Sequence, residues 1–278
     1  MATIYKTLTS NDVASTRTLL HEAIPITGTI ISGTYGNFGS EGNIKDYSHE
    51  MFQSVFDYPF LSSSANHLFD IAVGYHTSSA NNNINDTSYH DKKVNVYNQF
   101  AQVLMGYDHT GSIRMFDQDG DLSGGPKFKE AAFFSFSRLL VKDEIKKGSF
   151  TLTLGTGAYG IPHDPRPLGK LVIGDTSGSD SYKVNSPAGE YGILYEQSPG
   201  KKTQPLGLIF YQAGVCVLAY TGSVTGALAG ANATKFDLTG RTAMDLLTGS
   251  FSPKLAANAW RHRISNISFN NTVELNST

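Results

Sequence analysis

The chain has a single cysteine, Cys216, and that scarcity excludes an intrachain disulfide framework and any metal centre built from several thiolates. An excess of one charge sign is missing too. The 22 Lys and Arg nearly match the 24 Asp and Glu, for a net charge of −2, so bulk-charge attraction to nucleic acid or an anionic membrane has no basis. No window reaches the roughly 18 apolar residues of a membrane span. The opening Met1-Ala2-Thr3-Ile4-Tyr5-Lys6 lacks a charged n-region and an apolar stretch of roughly 7–15 residues. No signal peptide is read there, and synthesis in a cytoplasm without secretion is expected. What is present is a chain of 278 residues with 40% hydrophobics, 16 Phe and 14 Tyr, long enough for one large or two smaller domains. The 28 Gly and 10 Pro imply many turns and lean the chain towards β structure.

Periodicity divides the chain near Gly124-Gly125-Pro126. Before it, helical spacing of Ala14, Leu20 and Ile24 predicts a helix over Ser10–Ala23 ending at Pro25, followed by a strand over Ile26–Tyr35. Phe52, Val55 and Phe56 predict a second short helix over Met51–Phe60. Leu68–Tyr75 reads as a buried strand, the Asn/Ser-rich Thr77–Tyr89 as a mobile loop, and Val94, Tyr97, Phe100, Ala101, Leu104 and Met105 as one face of a helix. After the boundary, Phe134, Phe136 and Arg138 alternate with Ser135, Ser137 and Leu139, and Phe150–Leu154 alternates likewise, predicting a hairpin around Lys142–Gly148. Short strands follow at Leu171–Ile173, Tyr191–Tyr195, Leu206–Tyr211 and Val215–Tyr220, the last two joined tightly at Gly214. Gly222–Ala233 is rich in small residues, Thr242–Leu247 suits a helical turn or two, and Arg263–Val273 alternates again. The expected fold is mainly β with a few helices (α+β), built of short-stranded antiparallel sandwich or barrel modules. Residues 1–125 are expected to form a mixed α/β docking domain. Residues 126–278 are expected to form a β-rich domain, and strand-like sequence running almost to Thr278 suggests truncation of a longer polypeptide.

Few motifs carry chemistry. Gly155-Thr156-Gly157-Ala158-Tyr159-Gly160 has the written form of a dinucleotide fingerprint, but Pro162, Pro165 and Pro167 forbid the helix that would hold a pyrophosphate. Asp117, Asp119 and Asp121 alternate as calcium ligands do, yet Leu122 stands where the usual loop has glycine and Phe128 where it has glutamate; Glu130 is the nearby acidic substitute. A solvated Asx-type turn explains the same residues. The eight histidines form no zinc spacing, and the His163-Asp164 pair before Pro165 reads as part of a surface turn. No serine lies in a nucleophile elbow, Cys216 lies in an apolar strand, and the N-x-[ST] triplets are what an Asn/Ser/Thr-rich chain produces by chance. Trp260-Arg261-His262-Arg263 is the densest aromatic and cationic run, suited to an acidic partner through Trp260, Arg261 and Arg263 or to a packed strand edge. Lys142–Lys147 mixes both signs and reads as a solvated tip. No catalytic residue, cofactor site or enzymatic activity is expected, and calcium is the one ion considered.

Three stretches, Phe134–Leu154, Gly207–Leu218 and Ile264–Thr278, together resemble virion structural proteins of T-even-like tailed phages of marine bacteria, cyanobacteria above all. The likeness lies in the pattern and order of Phe134-Ser135-Phe136-Ser137-Arg138, Gly207-Leu208-Ile209-Phe210-Tyr211 and Ile264-Ser265-Asn266-Ile267-Ser268-Phe269. It covers roughly the second half of the chain. The resemblance implies a tail, baseplate or neck component present in several copies in a symmetric ring or fibre. Its partners would be other virion proteins, with no nucleic acid or membrane. The alternative is a receptor- or glycan-binding fibre module whose Tyr/Asn-rich loops hold a sugar. A third reading is a tail-associated glycosidase using carboxylates from Asp117, Asp119, Asp121 and Glu130.

Overall fold

Segments rich in Phe, Val, Ile and Leu pair with partners far away in sequence, and each strand pairing is antiparallel. The computed structural model describes residues 16–26, 41–58, 61, 63–79, 89–156, 169–197, 204–220, 243–248 and 250–277. Its strands are β1 (Thr16–Pro25), β2 (Ile44–Asp46), β3 (Phe52–Phe56), β4 (His67–Tyr75), β5 (Phe116–Asp117), β6 (Lys127–Phe128), β7 (Glu130–Phe136) and β8 (Glu144–Ile145). They continue as β9 (Thr151–Thr156), β10 (Gly169–Gly174), β11 (Lys183–Ser186), β12 (Gly189–Glu196), β13 (Pro205–Phe210), β14 (Val215–Ala219) and β15 (Ile264–Ser277). The helices are α1 (His90–Leu104), α2 (Arg138–Val141), α3 (Gly178–Ser181), α4 (Ala243–Thr248) and α5 (Pro253–Arg263). Thirteen of the strands form one sheet in the order β1-β15-β9-β10-β12-β13-β14-β7-β4-β3-β2, with β11 beside β12 and β8 beside β15. The fold is therefore mainly β with a few helices, as expected, and its large antiparallel sheet is curled into a half-barrel.

One helix shows why the sheet must curl. Helix α5 packs against β3 and β4 and also against β9 and β15. Seven strand spacings separate β15 from β4 in the sheet order, roughly 34 Å if the sheet were flat, whereas a helix is only about 10–12 Å across. Phe136 of β7 also meets Phe269 of β15 at 5.3 Å and Phe150 at 5.8 Å across the same interior. The inner face, with Phe69, Ile71, Phe134, Leu218 and Ile267, closes on Trp260 of α5, whose ring sits edge-on to Phe134 at 6.2 Å and Tyr220 at 5.2 Å. The outer face buries Phe133, Phe210 and Val217 under α1 and the β5–β6 hairpin. Both faces of the central strands are covered, so β4, β7, β13 and β14 read as nearly continuous apolar runs.

Helix α1 follows its sequence period, with Val94, Tyr97, Ala101 and Leu104 buried. It reaches the sheet at Gly74, where any Cβ would lie 2.4 Å from Lys93 O and 2.8 Å from Tyr97 N. The β13–β14 hairpin also forms as expected, with Gly214 at φ +66°.

Three expectations are corrected. Thr16–Pro25 is a strand in place of the C-terminal part of a helix, because it pairs with β15 over ten positions; Leu20 is 50% exposed, so its spacing marked no buried face. Phe52–Phe56 is β3 in place of a helix: Val55 packs into the interior while Phe52 lies on the outer side, and apolar residues on both faces imitate helical spacing. The hairpin over Phe134–Leu154 does not form, since β7 lies between β14 and β4 while β9 lies between β15 and β10. The turn α2 and the short β8 intervene, and β8 goes to β15. The expected domain boundary at 125 and 126 runs between strands of one sheet: β4 pairs with β7 over seven positions and β1 with β15 over ten. The predicted helix before Thr16, the rest of the strand over Ile26–Tyr35, most of the Thr77–Tyr89 loop and the Gly222–Ala233 segment lie outside the described residues.

Candidate docking surface

Strand β15 outruns its first partner, and beyond Thr272 its only partner among the described strands is β1. Its first part, through Ser268, pairs with β9, and from Ser268 to Ser277 it pairs with β1. Among the described residues no other strand pairs with β1, so its outer edge offers N–H and C=O groups to a further strand. Nine of its ten residues are exposed, and Leu19, Leu20 and Leu275 are each about half exposed, at 46%, 50% and 50%. Leu19 and Leu20 are adjacent in sequence and so point to opposite faces of the ribbon. Arg17 pairs with Glu274 across the two strands. Hydrogen bonds from Arg17 and Asn276 hold the Glu274 carboxyl below the usual carboxylate range.

At the base of this ribbon lies a polar cleft of about 640 Å³ where Arg17, Arg138 and Lys147 meet Asp143, Glu144, Glu190 and Glu274. Lys147 organises it. Its Nζ lies 2.5 Å from Glu190 Oε2 and 3.8 Å from Glu144 Oε2, and sits 4.9 Å over the Tyr182 ring and 5.6 Å over Tyr211. Arg138 is fixed by donating to Gln212 O at 2.8 Å. Behind the cleft, buried Asp175 accepts the Gly148 and Phe150 amides at 2.8 and 2.9 Å. Burial raises its carboxyl above the ordinary range, and burial together with nearby Asp175 raises the Tyr211 phenol. With its charges engaged in ion pairs or in hydrogen bonds to the backbone, the cleft suits polar, hydrogen-bonding partners.

The residues singled out by sequence fall elsewhere. Asp117, Asp119 and Asp121 do converge, with carboxylate oxygens within 4.8 Å of one another, Asp117 buried and the other two exposed. The cation among them is the chain's own: Lys127 Nζ lies 2.8 Å from Asp117 Oδ1 and donates to Ser123 O and Gly124 O, both at 2.7 Å. Asp117 Oδ2 accepts the Leu122 amide, Asp119 Oδ1 the Asp121 amide, and Asp121 both the amide and the hydroxyl of Ser123. This is an Asx-type network with a built-in counter-ion at its buried carboxylate. Glu130 is buried beside β6 and accepts the Ser79 hydroxyl.

Trp260, Arg261 and Arg263 lie on α5, inside the curl, and are 0%, 5% and 2% exposed. Arg261 donates to Asn258 Oδ1 at 2.7 Å and Arg263 to Gly155 O at 2.9 Å, so the run is interior and belongs to a helix rather than a strand edge. Cys216 is fully buried, and burial pushes its thiol up, away from reactivity. His163 and most of the glycine-rich motif lie outside the described residues.

Sequence reading missed the ribbon and the cleft because their residues come from positions as distant as Arg17 and Glu274. The local signal was the adjacent pair Leu19-Leu20 within the polar run Arg17-Thr18-Leu19-Leu20-His21-Glu22, a poor fit to a one-faced helix. Comparison with protein-family models, with curated proteins and with solved structures finds no match to this chain.

Proposed function

We propose that the chain is a structural subunit of a tailed-phage virion, in the tail, baseplate or neck, that docks neighbouring subunits in a symmetric multi-copy assembly. The observation carrying this reading is the β1 edge: a ten-residue strand, nine residues exposed, with half-exposed leucines on both ribbon faces. Long exposed edges invite pairing with another chain, and proteins that stay alone blunt them with proline, lysine or a covering loop. In β1 the proline stands only at the end, as Pro25. Strand addition supplies backbone hydrogen bonds, while Leu19, Leu20 and Leu275 supply apolar area to a neighbour. On this reading the chain resides in the virion, acts through surfaces alone and turns over no substrate. The test is mass spectrometry and immunogold labelling of purified particles of the encoding phage, with a Leu19→Lys/Leu20→Lys variant supplied in trans. The wild type is expected in particles, and the variant, folded by circular dichroism, is expected to be excluded. Absence of the wild type from particles, or equal incorporation of the variant, overturns the reading.

The polar cleft favours a second reading, a receptor- or glycan-binding module. Paired charges beside Tyr182, which is 39% exposed, suit sugar hydroxyls and a stacked ring face. Saccharide-dependent thermal stabilisation, lost in Lys147→Met, would favour it.

A further inference from the structure

On the outer face of the sheet, a cleft of about 240 Å³ opens beside α1, away from the ribbon and the polar cleft. Its origin is in β4. Positions 74, 72 and 70 face the helix, and Gly74 and Ala72 let α1 approach closely. One helical turn beyond Tyr97, Phe100 stacks on Phe133, with ring centroids 4.3 Å apart and planes 4° apart. The next β4 position on this face is Asp70, where the apolar packing stops. Met51, Phe52 and Phe100 wall the cleft, and its polar groups are Asp70, Gln99 and Ser135.

Asp70 is only half committed. Its Oδ1 takes both the His67 Nε2 bond, at 2.8 Å, and the Ser54 hydroxyl. Its Oδ2 accepts no hydrogen bond among the described residues, and the side chain is 32% exposed. The cleft thus pairs aromatic and thioether walls with a carboxylate oxygen that has capacity to spare.

We infer that this cleft binds an organic ammonium, a primary amine on a short apolar stem. The stem lies against Met51, Phe52 and Phe100, and the faces of the two phenyl rings also attract a cation. Asp70 Oδ2 accepts a charge-assisted hydrogen bond from the ammonium. The Ser135 hydroxyl and the Gln99 amide oxygen are further acceptors. The volume lies below the roughly 300–1,000 Å³ of sites for drug-sized ligands, so the occupant is a small amine or a single lysine side chain. Anionic ligands are repelled by Asp70, and a neutral isostere forgoes the charge-assisted bond.

The test is an NMR titration of the full chain with phenethylammonium, with its neutral isostere phenethyl alcohol, and with Nα-acetyl-lysine methylamide. Saturable shifts at the Ala72, Phe100 and Ser135 amides are expected for phenethylammonium, with the alcohol at least tenfold weaker. Equal shifts from the lysine derivative identify a side chain presented by a neighbouring protein as the source. Its failure beside a binding amine identifies a free small molecule. Either result supports the ammonium site. Gln99→Glu, at an exposed helical position, is expected to tighten ammonium binding about threefold, and Asp70→Asn to reduce it to the level of the alcohol. Equal affinity for alcohol and ammonium, or no saturable shift at these amides, overturns the inference. The comparison of ligands on the wild type needs no variant to fold.

Discussion

Gly74→Ala probes the contact on which the outer layer depends. A methyl at this position would lie 2.4 Å from Lys93 O and 2.8 Å from Tyr97 N, against about 3.4 Å for an ordinary contact. Both clashing atoms are helix backbone, which has no rotamer to escape into, so α1 must retreat by roughly 1 Å as a body. A gap of about 0.5–1 Å forfeits a quarter to a half of each dispersion contact it opens. The retreat also pulls on the Tyr97 hydroxyl, which donates to Phe128 O at 2.6 Å in a buried position. Overpacking costs typically about 1–3 kcal/mol, and a lost buried hydrogen bond adds about 1 kcal/mol, so roughly 2–4 kcal/mol is expected. With a urea m-value near the upper end of about 1–3 kcal/mol/M, the unfolding midpoint should fall by about 1 M. Fluorescence of Trp260, fully buried on α5, reports the transition. Gly124→Ala is the control, because nothing lies within 4 Å of its added methyl, and it should stay within about 0.5 kcal/mol of wild type. A Gly74→Ala midpoint indistinguishable from that of Gly124→Ala would refute the close-approach argument.

Four further perturbations follow from buried ionisable groups. Asp175→Ala leaves the Gly148 and Phe150 amides without their acceptor and should cost about 2–4 kcal/mol by urea unfolding; an unchanged midpoint would mean that other groups satisfy them. Lys127→Met strips the counter-ion from fully buried Asp117, a loss of about 3–5 kcal/mol. With Lys127 in place, EDTA or millimolar calcium should leave the melting temperature unchanged, and a rise with calcium would show that the ion displaces the ammonium. His262 is held down to about 4 by burial and by Arg261, while an unfolded imidazole takes its proton near 6.5. The unfolded state therefore binds more protons between these values, and stability should fall as pH drops from 6.5 towards 4, by up to about 3 kcal/mol. A His262→Leu variant with the same acid decline would assign it elsewhere.

What the sequence disclosed depended on how local the deciding contact was. Helix α1 and the β13–β14 hairpin were legible because their periods and turn glycine act within a few residues. Strand β3 was misread because Phe52 and Val55 serve opposite faces of a sheet covered on both sides, and such a segment carries no period of two. Strand β1 was misread because its structure comes from Asn271, Thr272 and their neighbours, about 250 residues away. The same distinction holds for the sites. The spacing of Asp117, Asp119 and Asp121 correctly announced a cluster, but nothing in that spacing revealed that Lys127 folds back into it. Trp260, Arg261 and Arg263 adjoin in sequence as a partner-binding run would, yet the curl of the sheet turns their helix inward and gives each its own interior partner.

The ribbon's energetics set how the proposed docking must work. Beyond Thr272, where β8 ends, the β1–β15 pair is two-stranded and marginal by itself, and β1 buries almost none of its own side chains. Covering the exposed half of Leu19, Leu20 and Leu275 is worth about 1 kcal/mol each, since full burial of a leucine is worth about 1.5–3 kcal/mol. Three such gains approach the roughly 4 kcal/mol of a millimolar dissociation constant, before any association cost. Side-chain burial alone therefore leaves a single edge contact too weak to persist at micromolar concentration, and the strand-pairing hydrogen bonds must supply the rest. Closure of several copies on one another strengthens it further, because each contact after the first forms within an already tethered set at high effective concentration. On the proposed reading, the ribbon favours a subunit whose docking depends on the symmetry of the particle around it.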